Sequence, residues 1–115
     1  MKKLVMLLLT MGIFLTGCSK ETKEERVKRE CTSEISGFAT AIGYLKTKLK
    51  YPDDAEIDAP YIHNINNDTC QHVMKGKLKA KNAFGMSTQY NYKVVVIYDK
   101  ETDMWKGRVA DIYIP

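Results

Sequence analysis

At 115 residues, with 44% hydrophobic residues and a formal net charge of +4, the chain has room for one small folded domain and not two. Its three cysteines and two histidines show no C-x-x-C or H-x-x-x-H spacing, which argues against the usual structural zinc sites. Charge is unevenly spread: residues 31–70 hold three lysines against six carboxylates, whereas residues 71–115 hold eight Lys or Arg against four.

The chain opens with Met1-Lys2-Lys3, a basic head, followed by an almost purely apolar run from Leu4 to Thr16. This is the layout of a secretory signal peptide. A run of 13 residues falls well short of the ~20 that a helix needs to cross a bilayer. The run ends in Leu15-Thr16-Gly17-Cys18, which resembles the lipobox of bacterial lipoproteins. The resemblance implies cleavage before Cys18, acylation of that cysteine, and a membrane partnership through its lipid. Several acyl chains, at ~0.8 kcal/mol per buried CH₂, hold where one would not. Ser19 stands where an Asp would signal inner-membrane retention in Gram-negative cells, so the resemblance further implies the outer membrane, facing the periplasm. Residues 1–17 are then a removed signal, 18–30 an anchor and charged tether, and 31–115 a single domain.

Within the tether, Glu24–Lys28 and Glu25–Arg29 are i,i+4 pairs in the favourable order. An apolar series, Val27, Cys31, Ile35, Phe38, Ile42, Leu45 and Leu49, advances in steps of three and four. It predicts one amphipathic helix over Thr32–Leu49, extended back to about Glu24. With Cys18 assigned to lipid, Cys31 and Cys70 are expected to form a disulfide, as suits a small exported domain. Closing that loop is worth roughly 4 kcal/mol in the chain-entropy model. The competing use of Cys70, with His63 and His72 as metal ligands, lacks the spacing.

Tyr51-Pro52 ends the helix, Asp58-Ala59-Pro60 is a second break, and Tyr61–Ile65 reads as a short strand before an Asn64–Asp68 turn. Three longer strands follow, Cys70–Lys81, Met86–Asp99 and Met104–Ile114. A three-residue loop with Gly85 in the left-handed position pairs Asn82 with Met86. Met74, Leu78 and Ala80 then share a face with Tyr90, Tyr92 and Val94. A four-residue loop, Lys100–Asp103, brings Trp105, Val109 and Tyr113 to that face, along with an unexplained Asp111. The expected fold is α+β: one long N-terminal amphipathic helix packed on a three- to four-stranded antiparallel meander. Leu49-Lys-Tyr-Pro-Asp-Asp-Ala55 and Ala80-Lys-Asn-Ala-Phe-Gly85 resemble segments of small domains of bacterial and phage origin, a likeness that implies no activity.

The opposite sheet face is expected to gather Lys75, Lys77, Lys79, Lys81, Lys93, Lys106 and Arg108. Such a face suits an anionic lipid or an acidic envelope protein, or it serves only as a solvated surface that discourages edge pairing. Nucleic acid is not expected, given the export signal and the lack of aromatics among the lysines. Asp99–Asp103 lacks the Gly and Glu of a calcium loop. No nucleophile motif accompanies either histidine, so no enzyme, cofactor or metal is expected. The expected function is a lipid-anchored binding or structural module of the cell envelope. The alternative is an inhibitor, immunity or phage superinfection-exclusion lipoprotein that blocks an envelope target.

Overall fold

The computed structural model describes residues 21–115; the apolar leader and Cys18 lie outside them. Two short helices replace the expected long one: α1 spans Lys23–Cys31 and α2 spans Glu34–Lys46. Thr22 caps α1, its Oγ1 accepting from the Glu25 N–H at 3.2 Å. Glu24 and Glu25 in the first turn and Lys28 and Arg29 in the last complement the helix dipole. Thr32 closes α1, and Ser33 starts again with extended backbone, its Oγ accepting from the Ser36 N–H at 3.1 Å. A serine N-cap satisfies an amide that has no partner in a first turn, so the break is stabilised locally. The apolar stripe is interrupted there, and Ile35, its first residue in α2, is exposed.

The sheet is also larger than expected. Five antiparallel strands form it: β1 (Glu56–Ile57), β2 (Ile62–Asn66), β3 (Gln71–Lys81), β4 (Ser87–Asp99) and β5 (Met104–Tyr113). The order is β1-β3-β4-β5, with β2 also paired to β3. Residues 52–69 therefore build the sheet edge and do not cover a face. Between β1 and β2 the chain stays on β3 through Asp58 N–H to the Lys77 carbonyl and Tyr61 N–H to the Lys75 carbonyl, both 3.0 Å. Pro60, which has no amide hydrogen to offer, sits between those two bonds.

The β3–β4 hairpin closes as its sequence predicts. Lys81 pairs with Ser87, the Asn82 N–H donates to the Met86 carbonyl at 2.8 Å, and Gly85 takes φ +78°. The β4–β5 hairpin starts in the expected register, Asp99 opposite Met104 and Tyr98 opposite Trp105. A bulge then intervenes: Val96 pairs with Gly107 but Val95 pairs with Val109, leaving Arg108 as the extra residue. Beyond it every side chain of β5 changes face. Ala110 and Ile112 go inward, whereas Val109, Asp111 and Tyr113, expected inside for their spacing from Trp105, lie outside.

The core forms between α2 and the inner sheet face, from Ala41 and Leu45 against Met74, Leu78, Ala80, Tyr92, Val94 and Val96. Ile35 was expected in it; the turn of α2 leaves its side chain 85% exposed. Three glycines make the close packing possible. Tyr92 lies across Gly76 and donates its hydroxyl to the Asp58 carbonyl at 2.8 Å, Tyr44 lies against Gly107, and His72 fills the space where Gly37 lacks a Cβ.

These contacts separate two helical glycines by their surroundings. A Cβ on Gly37 would sit 2.5 Å from Nδ1 of buried His72, whereas one on Gly43 meets nothing within 4 Å. Gly43→Ala should raise the melting temperature, since Ala favours a helix by about 1 kcal/mol. Gly37→Ala should lower it by the equivalent of about 1–3 kcal/mol of overpacking. Thermal unfolding of the two variants beside the parent checks both signs.

Candidate functional site

The alternation of β3 sets the chemistry of the outer face. Successive side chains of a strand point to opposite sides, so Lys75, Lys77, Lys79 and Lys81 share the side away from Met74, Leu78 and Ala80. Lys75 stands directly opposite Lys93, Lys77 opposite Asn91, and Lys79 opposite Gln89. Lys106 is on the same side, paired with Ile97, and Arg108 is the exposed bulge residue. All seven expected cations therefore lie on or beside this face.

Four carboxylates share it. Asp54 takes Lys81 Nζ at 3.2 Å, and Asp99 takes Lys106 Nζ at 2.9 Å. Glu56 lies across from Lys79 and Asp111 across from Lys93. The Lys106 bond, aided by the Glu101 and Thr102 amides, pulls the Asp99 carboxyl down to about 2. Among the described residues, Lys75, Lys77, Lys79, Lys93 and Arg108 form no ion pair. The Lys75–Lys93 opposition is unfavourable for the sheet itself, because like charges directly across a strand pair destabilise it.

One register row away the face turns apolar. Asn64, Val73, Val95 and Val109 lie side by side, with Val95 only 9% exposed and Val109 40%. Ile97 and Ile62 flank them. The face is thus a basic patch bordered by an aliphatic row, with no helix of residues 21–115 packed over it.

A second cluster lies behind the inner face, at the junction of the helices. Cys31 and Cys70 form a disulfide with Cα atoms 4.8 Å apart. Cys70 has φ +58°, a left-handed geometry that costs an L-residue about 1–2 kcal/mol. Asn66 supports the turn before it, its Oδ1 accepting from the Asp68 and Thr69 amides at 2.9 and 3.2 Å. His72 is fully buried, and its Nε2 lies 2.8 Å from the Cys31 carbonyl oxygen. A carbonyl only accepts, so Nε2 carries the proton and Nδ1 of the neutral ring accepts from His63 Nε2, also 2.8 Å away. Trp105 meets His72 edge-on and donates its indole N–H to Glu30 at 3.1 Å.

Metal ligation and partnership with a nucleophile are the uses expected of these histidines from sequence; their pairing with each other is not. The signal was present: a turn between two strands puts His63 and His72 diagonally across one face of a hairpin. No group of three or more His, Cys, Asp or Glu among the described residues is placed to hold a metal ion. His63 also borders a shallow groove with Ile35, Phe38, Ile42 and Pro60.

Burial lowers both imidazoles from their ordinary 6.5; for His63 the neighbouring His72 adds to it, while for His72 the Cys31 carbonyl opposes it, and Glu34 opposes it for both. Between 6.5 and the lowered values the unfolded chain binds more protons than the folded one. Stability from the pair is therefore complete above 6.5 and declines as pH falls below it. Urea midpoints measured between about pH 8 and pH 5 should show this decline, and His72→Gln should flatten it. The Asp99 contribution lies elsewhere, being lost only as pH falls from 3.8 toward about 2.

No protein-family model, curated protein or solved structure matches the chain.

Proposed function

We propose that the chain is a lipid-anchored, non-enzymatic binding module of the cell envelope, tethered through Cys18 to the periplasmic side of the outer membrane. Its basic sheet face engages an anionic surface there. The observation that carries the second part is the uncompensated charge. Residues 69–98 hold five lysines and no carboxylate, and they bring Lys75 and Lys93 into direct opposition. Asp111 faces Lys93 from the other side, but Lys75 and Lys77 have no such neighbour, and an anionic partner would neutralise them. The lipobox-like Leu15-Thr16-Gly17-Cys18 supports the tether. No helix among the described residues is long and apolar enough to cross a membrane.

Two measurements test the parts separately. Cys18→Ala should abolish incorporation of a labelled fatty acid and leave a longer or soluble product; normal acylation in that variant overturns the tether. Protein starting at Ser19 should be retained on vesicles containing phosphatidylglycerol at low salt and released as salt rises. Combining Lys75→Glu, Lys77→Glu and Lys79→Glu should weaken retention at least tenfold, taking about 1 kcal/mol for each basic residue near an anionic bilayer. Retention unchanged by the three reversals overturns the binding face.

A further inference from the structure

Among the described residues, the β3–β4 hairpin tip carries the most exposed large apolar side chain, Phe84. Phe84 is 88% exposed and Met86 62%, and Ala83 beside them is exposed as well. A single exposed apolar side chain is ordinary on a protein surface. Here Ala83, Phe84 and Met86 share one turn, with Gly85 between the last two, at the end of the strand that carries Lys75, Lys77, Lys79 and Lys81. We propose that this tip enters the interface of an anionic bilayer, with Phe84 and Met86 in the headgroup–acyl boundary and Lys79 and Lys81 among the lipid phosphates. The proposal rests on the reading of the basic face as a surface for anionic lipid.

Backbone chemistry supports insertion here over other loops. Entry into an apolar medium is costly wherever an amide loses water and gains no partner. At this tip the amides of Asn82, Phe84, Gly85 and Met86 are already bonded. Asn82 Oδ1 accepts from the Phe84 and Met86 N–H groups at 2.9 and 3.1 Å. The Asn82 carbonyl accepts from Gly85 at 3.0 Å, and the Asn82 N–H donates to the Met86 carbonyl at 2.8 Å. The turn is closed on itself, so Phe84 and Met86 can leave water without uncovering a donor.

Charge selects the bilayer. Long lysine stems can place their ammonium groups at headgroup level, and no carboxylate lies in the hairpin from Thr69 to Tyr98. Asp54, which holds Lys81 at 3.2 Å, is the acid that a lipid phosphate would displace. An aromatic and a thioether residue beside lysines is the composition of an interfacial anchor.

The tip lies at the far end of β3 from Cys70. An 11-residue strand spans about 36 Å at ~3.3 Å per residue. The tip and the Cys31–Cys70 disulfide therefore stand at opposite ends of β3, and insertion of the tip brings the Lys79 and Lys81 end of the basic face toward the lipid.

The test uses the full chain purified from the producing envelope and reconstituted into phosphatidylethanolamine–phosphatidylglycerol vesicles with brominated acyl chains. Phe84→Trp should give tip fluorescence that is blue-shifted and quenched by bromine, with Trp105 of the parent as the unquenched control. Phe84→Ser combined with Met86→Ser, in protein starting at Ser19, should lower vesicle affinity about tenfold, the loss expected for one buried large apolar side chain. A Phe84→Trp emission that stays water-like overturns insertion, and quenching of equal strength in vesicles without phosphatidylglycerol overturns the lysine contribution. Quenching lost with salt-dependent vesicle binding intact removes the tip alone. Loss of that binding on Lys75→Glu, Lys77→Glu and Lys79→Glu, with tip quenching intact, leaves the tip standing without the basic face.

Discussion

Cys31 is held twice, and the rest of the fold depends on it. Its sulfur is bonded to Cys70, at the start of the strand. Its carbonyl receives the Nε2 proton of His72, two residues further on. The last turn of α1 is thereby pinned to the end of β3, and the chain must turn at Thr32–Ser33 to bring α2 back along the inner sheet face. Gly37 passes over His72 with no Cβ between them, and Ala41 and Leu45 then reach the core. Trp105 closes the cluster from β5, bonded to Glu30 of α1. Because His72 is buried and its ring nitrogens are both engaged, the neutral ring is the form that satisfies every partner. Both helices are therefore committed to one side of the sheet, and among the described residues the other side receives no helical cover.

The parts of this arrangement that were legible in the sequence are those fixed by short-range chemistry. Asn82 and Gly85 specify a three-residue loop because one residue must take positive φ, and burial of Leu78 over Lys79 excludes the neighbouring registers. The helix break was equally local, since Thr32 and Ser33 are good capping residues, but the continuous apolar stripe concealed it. Strand β1 was hidden, because its two residues carry no periodicity. Strand β2 was expected over Tyr61–Ile65 and lies one residue later, at Ile62–Asn66; its pairing to β3 was not expected.

The bulge at Arg108 explains why Asp111 seemed misplaced. Counting by twos from Trp105 sends Asp111 into the core; adding one residue sends it out, across from Lys93, and brings Ala110 and Ile112 in. A buried carboxylate with no partner is far more costly than a bulge, so Asp111 itself is the sequence signal for the extra residue. Gly107 next to it admits Tyr44 of α2, and no larger residue would. On the candidate face, the positions of the β3 lysines followed from alternation alone. The aliphatic row of Val73, Val95 and Val109 did not, because Val109 reaches it only through the bulge.

Alternation also limits what the lysines can mean. On β3 they prevent a one-residue slip, which would bury four ammonium groups, and that role accounts for their spacing without any ligand. Lys93 has a second neighbour: Asp111 of β5 faces it across the other strand pair, which offsets part of the cost of standing opposite Lys75. The functional weight of the face therefore rests on the cations that lie beside the aliphatic row. There, among the described residues, both helices lie on the other side of the sheet, and charge and apolar surface meet without helical cover.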